Sequence, residues 1–181
     1  MARAIVRTLL ASGVSAGLMI GTGGCSFHFS SSSSHSVSKS DVANQITAKM
    51  TGSTGKPDSA TCPSDLGAKV GAQLNCKMKF KDKDYDVNAT VTSVNGDDVK
   101  FDLAEMVDKD QVASRISDKL TEQVGKQPDS VTCPGNLKGV VGTTLRCELT
   151  DGSKKYGMTV TVTSVDIPQV YFDYQVDDHP E

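Results

Sequence analysis

The alternation of apolar and polar residues in this chain is written twice. From Tyr85 to Thr92, Tyr85, Val87, Ala89 and Val91 take one face and Asp86, Asn88, Thr90 and Thr92 the other. From Tyr156 to Thr163 the pattern returns, with Tyr156, Met158, Val160 and Val162 opposite Gly157, Thr159, Thr161 and Thr163. A strict period of two, filled with β-branched residues, predicts a half-buried strand. A strand precedes it, with Cys76, Met78 and Phe80 on one side and Lys77 and Lys79 on the other. A last strand follows, carrying Val99, Phe101 and Leu103, or Val170, Phe172, Tyr174 and Val176. Asn95-Gly96 is a strong hairpin turn, and Asp166-Ile167-Pro168-Gln169 a looser one. Earlier, Ala60 and Cys62, or Val131 and Cys133, mark a short strand that Pro63 or Pro134 ends. A loop with Gly67 and Gly71, or Gly139 and Gly142, leads on from it.

Ahead of each strand set the period lengthens. Val42, Ala43, Ile46 and Met50 share one helical face, as do Val112, Ala113, Ile116 and Leu120. Ser38 before Asp41, and more strongly Asp108 before Gln111, give the capping signal of a helix start. Each unit reads as a helix followed by four antiparallel strands. The expected fold class is α+β: two tandem repeats, each one helix packed on a four-stranded antiparallel sheet with one internal disulfide. One sheet face meets the helix. The threonine-rich face meets water or the other repeat, and water is favoured, because Thr, Asn88 and Asp86 are costly to bury unpaired.

The two units align with one slip, an extra residue at Gln127. Val42 matches Val112, Cys62 matches Cys133, Gly71 matches Gly142, Cys76 matches Cys147, Tyr85 matches Tyr156 and Phe101 matches Phe172. A twofold repeat of roughly 70 residues is a duplicated domain, since solenoid repeats are shorter and more numerous. The first repeat domain is placed at 38–106 and the second at 107–176. No linker separates them, because Val107 starts the second directly after the last strand of the first.

The start of the chain changes the picture. Arg3 and Arg7 precede an apolar stretch from Thr8 to Ile20, and Gly23-Gly24-Cys25 closes it. The stretch falls short of the about 20 apolar residues a membrane-spanning helix needs. It fits the charged and apolar regions of a secretory leader, here 1–24. Small residues before a cysteine are the layout of a bacterial lipoprotein signal, so Cys25 is the expected lipidation site and mature N-terminus. Two acyl chains on it would anchor the protein firmly, at about 0.8 kcal/mol for each buried methylene. The expected location is the extracytoplasmic face of the cell membrane. The segment 25–37, rich in serine, reads as a tether, and 177–181 as an acidic tail that frays. Cleavage removes Arg3 and Arg7, leaving 17 basic against 22 acidic residues, so the net charge moves from −3 to −5. That balance disfavours nucleic acid as a partner.

Outside the cytoplasm thiols can oxidise. With Cys25 set aside, four cysteines allow three pairings. The spacing from Cys62 to Cys76 equals that from Cys133 to Cys147, which favours one disulfide within each repeat. A zinc site would show close cysteine pairs or a nearby histidine, and neither is present. The three histidines, His28, His35 and His179, sit in the tether or the tail, where a catalytic imidazole would lack rigid support. Asp97-Asp98 reads as a solvated turn, and Asn88-Ala89-Thr90 as a mid-strand coincidence with a glycosylation signal. The expectation is no catalytic residue, no metal and no cofactor.

The motif DS-x-T-C-P, a glycine-rich loop to L-x-C, and then Y with a T-V-T-S-V run resembles domain-of-unknown-function family 4333. This family occurs in actinobacterial lipoproteins of mycobacterial type. The resemblance covers nearly all of 38–176, twice over. It implies an extracytoplasmic, disulfide-bearing α+β domain and brings no catalytic residues. Two tandem helix-on-sheet units are also similar in plan to the secreted β-lactamase inhibitor protein. The function expected first is a non-catalytic envelope lipoprotein that binds a protein or glycan partner. The alternatives are an extracytoplasmic enzyme inhibitor, an enzyme marked by a convergent polar cleft, and an envelope lipid carrier marked by a large apolar cavity.

Overall fold

Tight turns between alternating segments force antiparallel neighbours, and both sheets grow from them. The structure, a computed structural model, describes residues 25–28, as backbone, and 36–180. Its elements are β1 (Cys25–His28), β2 (Ser36–Val37), α1 (Lys39–Lys49), β3 (Ser59–Thr61), β4 (Leu66–Gly67), β5 (Gln73–Phe80), β6 (Lys83–Asn95) and β7 (Asp98–Val107). There follow α2 (Lys109–Val124), β8 (Ser130–Thr132), β9 (Leu137–Lys138), β10 (Thr144–Asp151), β11 (Lys154–Asp166) and β12 (Gln169–Val176). The expected leader and the serine run with His35 lie outside the described residues. No described helix is long and apolar enough to cross a membrane.

The second repeat's sheet has the order β12-β11-β10-β8, antiparallel throughout. The first repeat's sheet contains the same path, β7-β6-β5-β3, and adds β1 and β9 along β7. One sheet therefore has the four strands expected and the other has six. The additions come from short strands that the sequence pattern is too brief to announce. Ser36–Val37 pairs with Leu66–Gly67, setting Val37 opposite Leu66. At the matching place in the second repeat, Met106–Val107 pairs with Leu137–Lys138, setting Val107 opposite Leu137. A short strand before each helix thus clasps its own repeat. In the second repeat that strand is the far end of β7, so the two repeats share it.

Two stretches expected in the tether therefore carry structure. Cys25–His28 lies antiparallel to β7, and Val37 is 1% exposed within the first core. The expected tail is also partly tied down. The Asp177 N–H donates to the Gly157 carbonyl at 2.9 Å, and Arg146 donates to its carboxylate.

The cores follow the expected faces. Ile46, Val87 and Val91 are buried together with Tyr85 packed against them, and Ile116, Met158 and Val162 with Tyr156. On β5 the alternation is complete, with Leu74, Cys76, Met78 and Phe80 buried between exposed neighbours. Cys62–Cys76 and Cys133–Cys147 are disulfides, each within one repeat. On the threonine-rich faces Thr92 and Thr163 are exposed. Asn88 departs from that face's openness, being 5% exposed, and its polar atoms are matched. Its amide donates to Asn75 Oδ1 at 2.7 Å, and its oxygen accepts from Thr90 Oγ1 at 2.7 Å.

The helices differ for a local reason. Asp108 caps α2 by accepting from the Asp110 and Gln111 amides, and α2 runs 16 residues to Gly125, whose φ of 72° ends it in the left-handed region. Ser38 caps α1 by accepting from the Asp41 amide, but α1 stops after 11 residues. Where the second repeat has Thr121-Glu122-Gln123-Val124, the first has Thr51-Gly52-Ser53-Thr54, whose glycine and hydroxyl residues are poor helix formers. The released segment closes on itself through reciprocal hydrogen bonds between Gly52 and Gly55, both at 3.0 Å.

Candidate functional site

That early helix stop prepares a seam between the repeats. The tip of the β11–β12 hairpin comes down on the 52–55 turn. The Ser53 N–H donates to Asp166 Oδ1 at 2.6 Å, the Ser53 hydroxyl donates to Asp166 Oδ2, and the Thr54 hydroxyl donates to the Ile167 carbonyl at 3.3 Å. These bonds hold the Asp166 carboxyl below the usual range. Ile167, a second-repeat residue, is buried in the first repeat's core. A Cβ on Gly52 would stand 2.1 Å from the Ile167 carbonyl, so this approach requires glycine. The other contact is the β7–β9 pairing, where the Gly139 N–H donates to the Glu105 carbonyl at 2.7 Å.

Between the two contacts lies a cleft of about 650 Å³. It is lined by β6, the end of β7, the first half of α2 and the start of β12, so both repeats contribute walls. A neighbouring hollow of about 370 Å³ shares Lys83, Tyr85 and Gln169 with it. The cleft wall carries Lys83, Asp84, Tyr85, Glu105 and Arg115.

Glu105 is the unusual member. It lies opposite Val87 in the β6–β7 register, hence on the face of the sheet that is otherwise apolar. It is 4% exposed, and its Oε2 has no hydrogen-bond partner. Burial pushes its carboxyl up to about 7, with the Arg115 guanidinium pulling the other way. Arg115 itself donates to the Val170 carbonyl at 3.3 Å. A buried acceptor left unmatched costs about 1–3 kcal/mol. The cleft wall therefore holds a carboxyl that burial pushes toward its neutral form and whose Oε2 is unmatched.

The residues singled out from the sequence lie elsewhere. The four paired cysteines sit within the two repeats as disulfides and outside the cleft wall. The His179 side chain is exposed in the tail, and Asp97 is exposed in the β6–β7 turn. Among the described residues no group of three or more His, Cys, Asp or Glu could hold a metal ion. Glu105 does carry a signal in the sequence. Continuing the face of Val99, Phe101 and Leu103 by two residues places an acid between Leu103 and Val107, in the middle of an apolar row.

A family model described as a domain of unknown function, DUF4333, matches residues 20–96 and again 99–166. The chain belongs to the DUF4333 family. No curated protein and no solved structure matches it. The second DUF4333 match opens on β7, the strand that both repeats use. Within the two DUF4333 repeats the seam corner has a counterpart. Tyr85 aligns with Tyr156, and Glu105 aligns with Val176. Tyr156 and Val176 line a hollow of about 250 Å³ together with Leu120, Val124, Pro128 and Leu149. Lys126, Asp151 and Asp177 also line that hollow, so the two corners differ at the aligned pair itself, Val176 in one and the buried Glu105 in the other.

Proposed function

We propose that this DUF4333 chain is a lipid-anchored envelope protein of actinobacterial type, whose paired repeats form a non-catalytic binding module with its ligand site in the seam cleft. The single observation that carries the binding site is Glu105, a buried carboxyl with an unmatched oxygen in the wall of a cleft that both repeats build. Buried polar groups are normally matched within the protein, so an unmatched one in a cleft wall invites a partner from outside. The Gly23-Gly24-Cys25 sequence behind the apolar leader supports the anchor. The Cys62–Cys76 and Cys133–Cys147 bridges support an oxidising compartment. A binding role rather than catalysis draws support from the isolation of Glu105, whose Oε2 has no hydrogen-bonded nucleophile beside it to activate.

The lipid-carrier alternative draws little from the second repeat's greasy hollow. Its volume of about 250 Å³ lies below the range of roughly 300–1,000 Å³ of small-molecule sites. An inhibitor-like face needs aromatic anchors. Tyr171 is the aromatic member of the exposed large apolar side chains among the described residues.

Two experiments test the proposal. Cys25→Ala is expected to move the protein out of the membrane fraction or to leave its precursor uncleaved, and unchanged fractionation with no acyl mass on the wild type would remove the anchor. A photo-crosslinking residue at Ser114, in the cleft wall, is expected to give a discrete adduct in the intact envelope, whereas one at the exposed Thr92 gives none. Equal labelling from both positions would remove the cleft.

A further inference from the structure

We infer that the seam cleft takes the ammonium group of an amine-bearing ligand, with Glu105 as its counter-ion. This inference rests on the cleft being the binding site and adds the chemistry of what enters it. Three independent observations carry it.

Glu105 presents an acceptor with nothing to accept from. Its Oε2 is buried and has no hydrogen-bond partner. A compact donor fits that need better than an anion, which two neighbouring acids would repel.

The surrounding charge points the same way. Asp84, Asp86, Glu105 and Asp108 line the cleft together with Lys83 and Arg115, an excess of two acids. Three of these groups have prior engagements. Asp86 pairs with Lys77 at 2.6 Å, Asp108 caps α2, and Arg115 donates to the Val170 carbonyl. From β9, Lys138 sits opposite Met106 beside the same strand end. Without a hydrogen-bonded partner remain Glu105 and Asp84, beside the half-buried Tyr85 ring and set against Lys83 and the Arg115 guanidinium, which acts on Glu105 through its charge. A carboxylate with an aromatic ring in the same cleft wall is a setting in which an ammonium can gain from both.

The fold does not require the acid. The aligned position in the second repeat holds Val176, packed against the second core, and that repeat builds the same strands. A carboxyl that costs stability where the domain accepts a valine is present for something other than packing.

Ionisation links this site to pH. Glu105 must be charged to hold an ammonium, and burial raises its pKa to about 7. The charged fraction then rises about tenfold between pH 6 and pH 8, and the apparent affinity rises with it, one proton being released for each ammonium bound at the lower pH. The other charged groups around Glu105 are Asp84, Asp86, Asp108, Lys83 and Arg115 in the cleft wall and Lys138 beside it on β9.

The test uses the mature chain with 1,4-diaminobutane as the probe and calorimetry as the readout, at pH 6 and pH 8. Binding is expected to be about tenfold tighter at pH 8. Glu105→Gln, checked as folded by circular dichroism, is expected to weaken binding at pH 8 at least tenfold and to flatten the pH dependence. Equal binding by wild type and Glu105→Gln, or no binding of the amine at all, overturns the inference. Sodium acetate or inorganic phosphate binding in place of the amine also overturns it, yet leaves the cleft as a site that works through Arg115. Failure of all three probes together with equal labelling from Ser114 and Thr92 overturns the cleft reading as well.

Discussion

The two repeats offer a controlled comparison inside one molecule. Each has a capped helix, a tyrosine at the start of its longest strand, a disulfide of the same span and a core on the same face. They part company where they meet. The first repeat has Gly52 where the second has Glu122, and its helix ends a turn or more early to receive Ile167. The second repeat has Gly139 where the first has Ala68, and a Cβ there would stand 2.9 Å from the Glu105 carbonyl and 2.8 Å from Val170. Two glycines thus open the close approaches that make the seam. The third difference is chemical, Glu105 against Val176. Features that the repeats share belong to folding. Features that differ cluster at the seam and give it a shape and a charge that neither repeat needs for itself.

The largest effect expected from breaking this comparison concerns the shared part. Both disulfides join residues 14 apart in sequence. Closing a loop of that size contributes about 3 kcal/mol in the chain-entropy model. Replacing Cys62 with Cys76, or Cys133 with Cys147, by serine pairs is expected to lower unfolding free energy by about that amount in each case. Denaturant melts of the two double variants measure it, and losses that differ severalfold would deny that the repeats are equivalent folding units.

The next effect sharpens the difference. The Glu105 pKa is raised from 4.5 to about 7 on folding, so the folded state favours the protonated form. Stability is greatest below pH 4.5 with respect to this group and falls as pH rises through 7, because ionisation then works against burial. The full loss is about 3 kcal/mol at about 1.4 kcal/mol for each pKa unit. Glu105→Gln is expected to match wild type near pH 4 and to exceed it by about 3 kcal/mol at pH 8. Parallel stability curves for the two proteins would place the carboxyl in water.

Core truncation comes after these. Val91 and Val162 occupy aligned, buried positions in the cores that also hold Ile46 and Ile116. Val91→Ala and Val162→Ala are each expected to cost about 1–3 kcal/mol. A loss at one position only would show that the two cores are packed unequally. The smallest effect belongs to the outer faces. Thr92→Lys and Thr163→Lys replace exposed residues and are expected to shift stability by no more than about 0.5 kcal/mol. A large loss in either would mean that the threonine face is covered.

The same comparison explains what could be read from the residues alone. Period-two rows such as Tyr85 to Thr92 are long enough to define a strand, and equal cysteine spacing is strong when the surrounding sequence repeats. Strands of two residues, Ser36–Val37 and Leu137–Lys138, have no period to read, so the shared use of β7 was hidden. The tether's two structured stretches were hidden for the same reason. The seam depends on contacts between residues far apart in sequence, Ser53 with Asp166 and Gly139 with Glu105, which no local pattern records. Glu105 was legible in principle, as the one acid in the row from Val99 to Val107, but its meaning needed Val176 beside it.

The central claim is that Glu105 is a buried, unmatched carboxyl at the seam while its counterpart, Val176, is a half-buried valine packed against the second core. A carbon-13 NMR titration of the Glu105 side-chain carboxyl in the unliganded protein tests it directly. The account predicts a midpoint near pH 7, well above the ordinary carboxyl value of 4.5. A midpoint at or below 4.5 would contradict it, because the carboxyl would then be solvated or paired and no vacancy for a donor would exist.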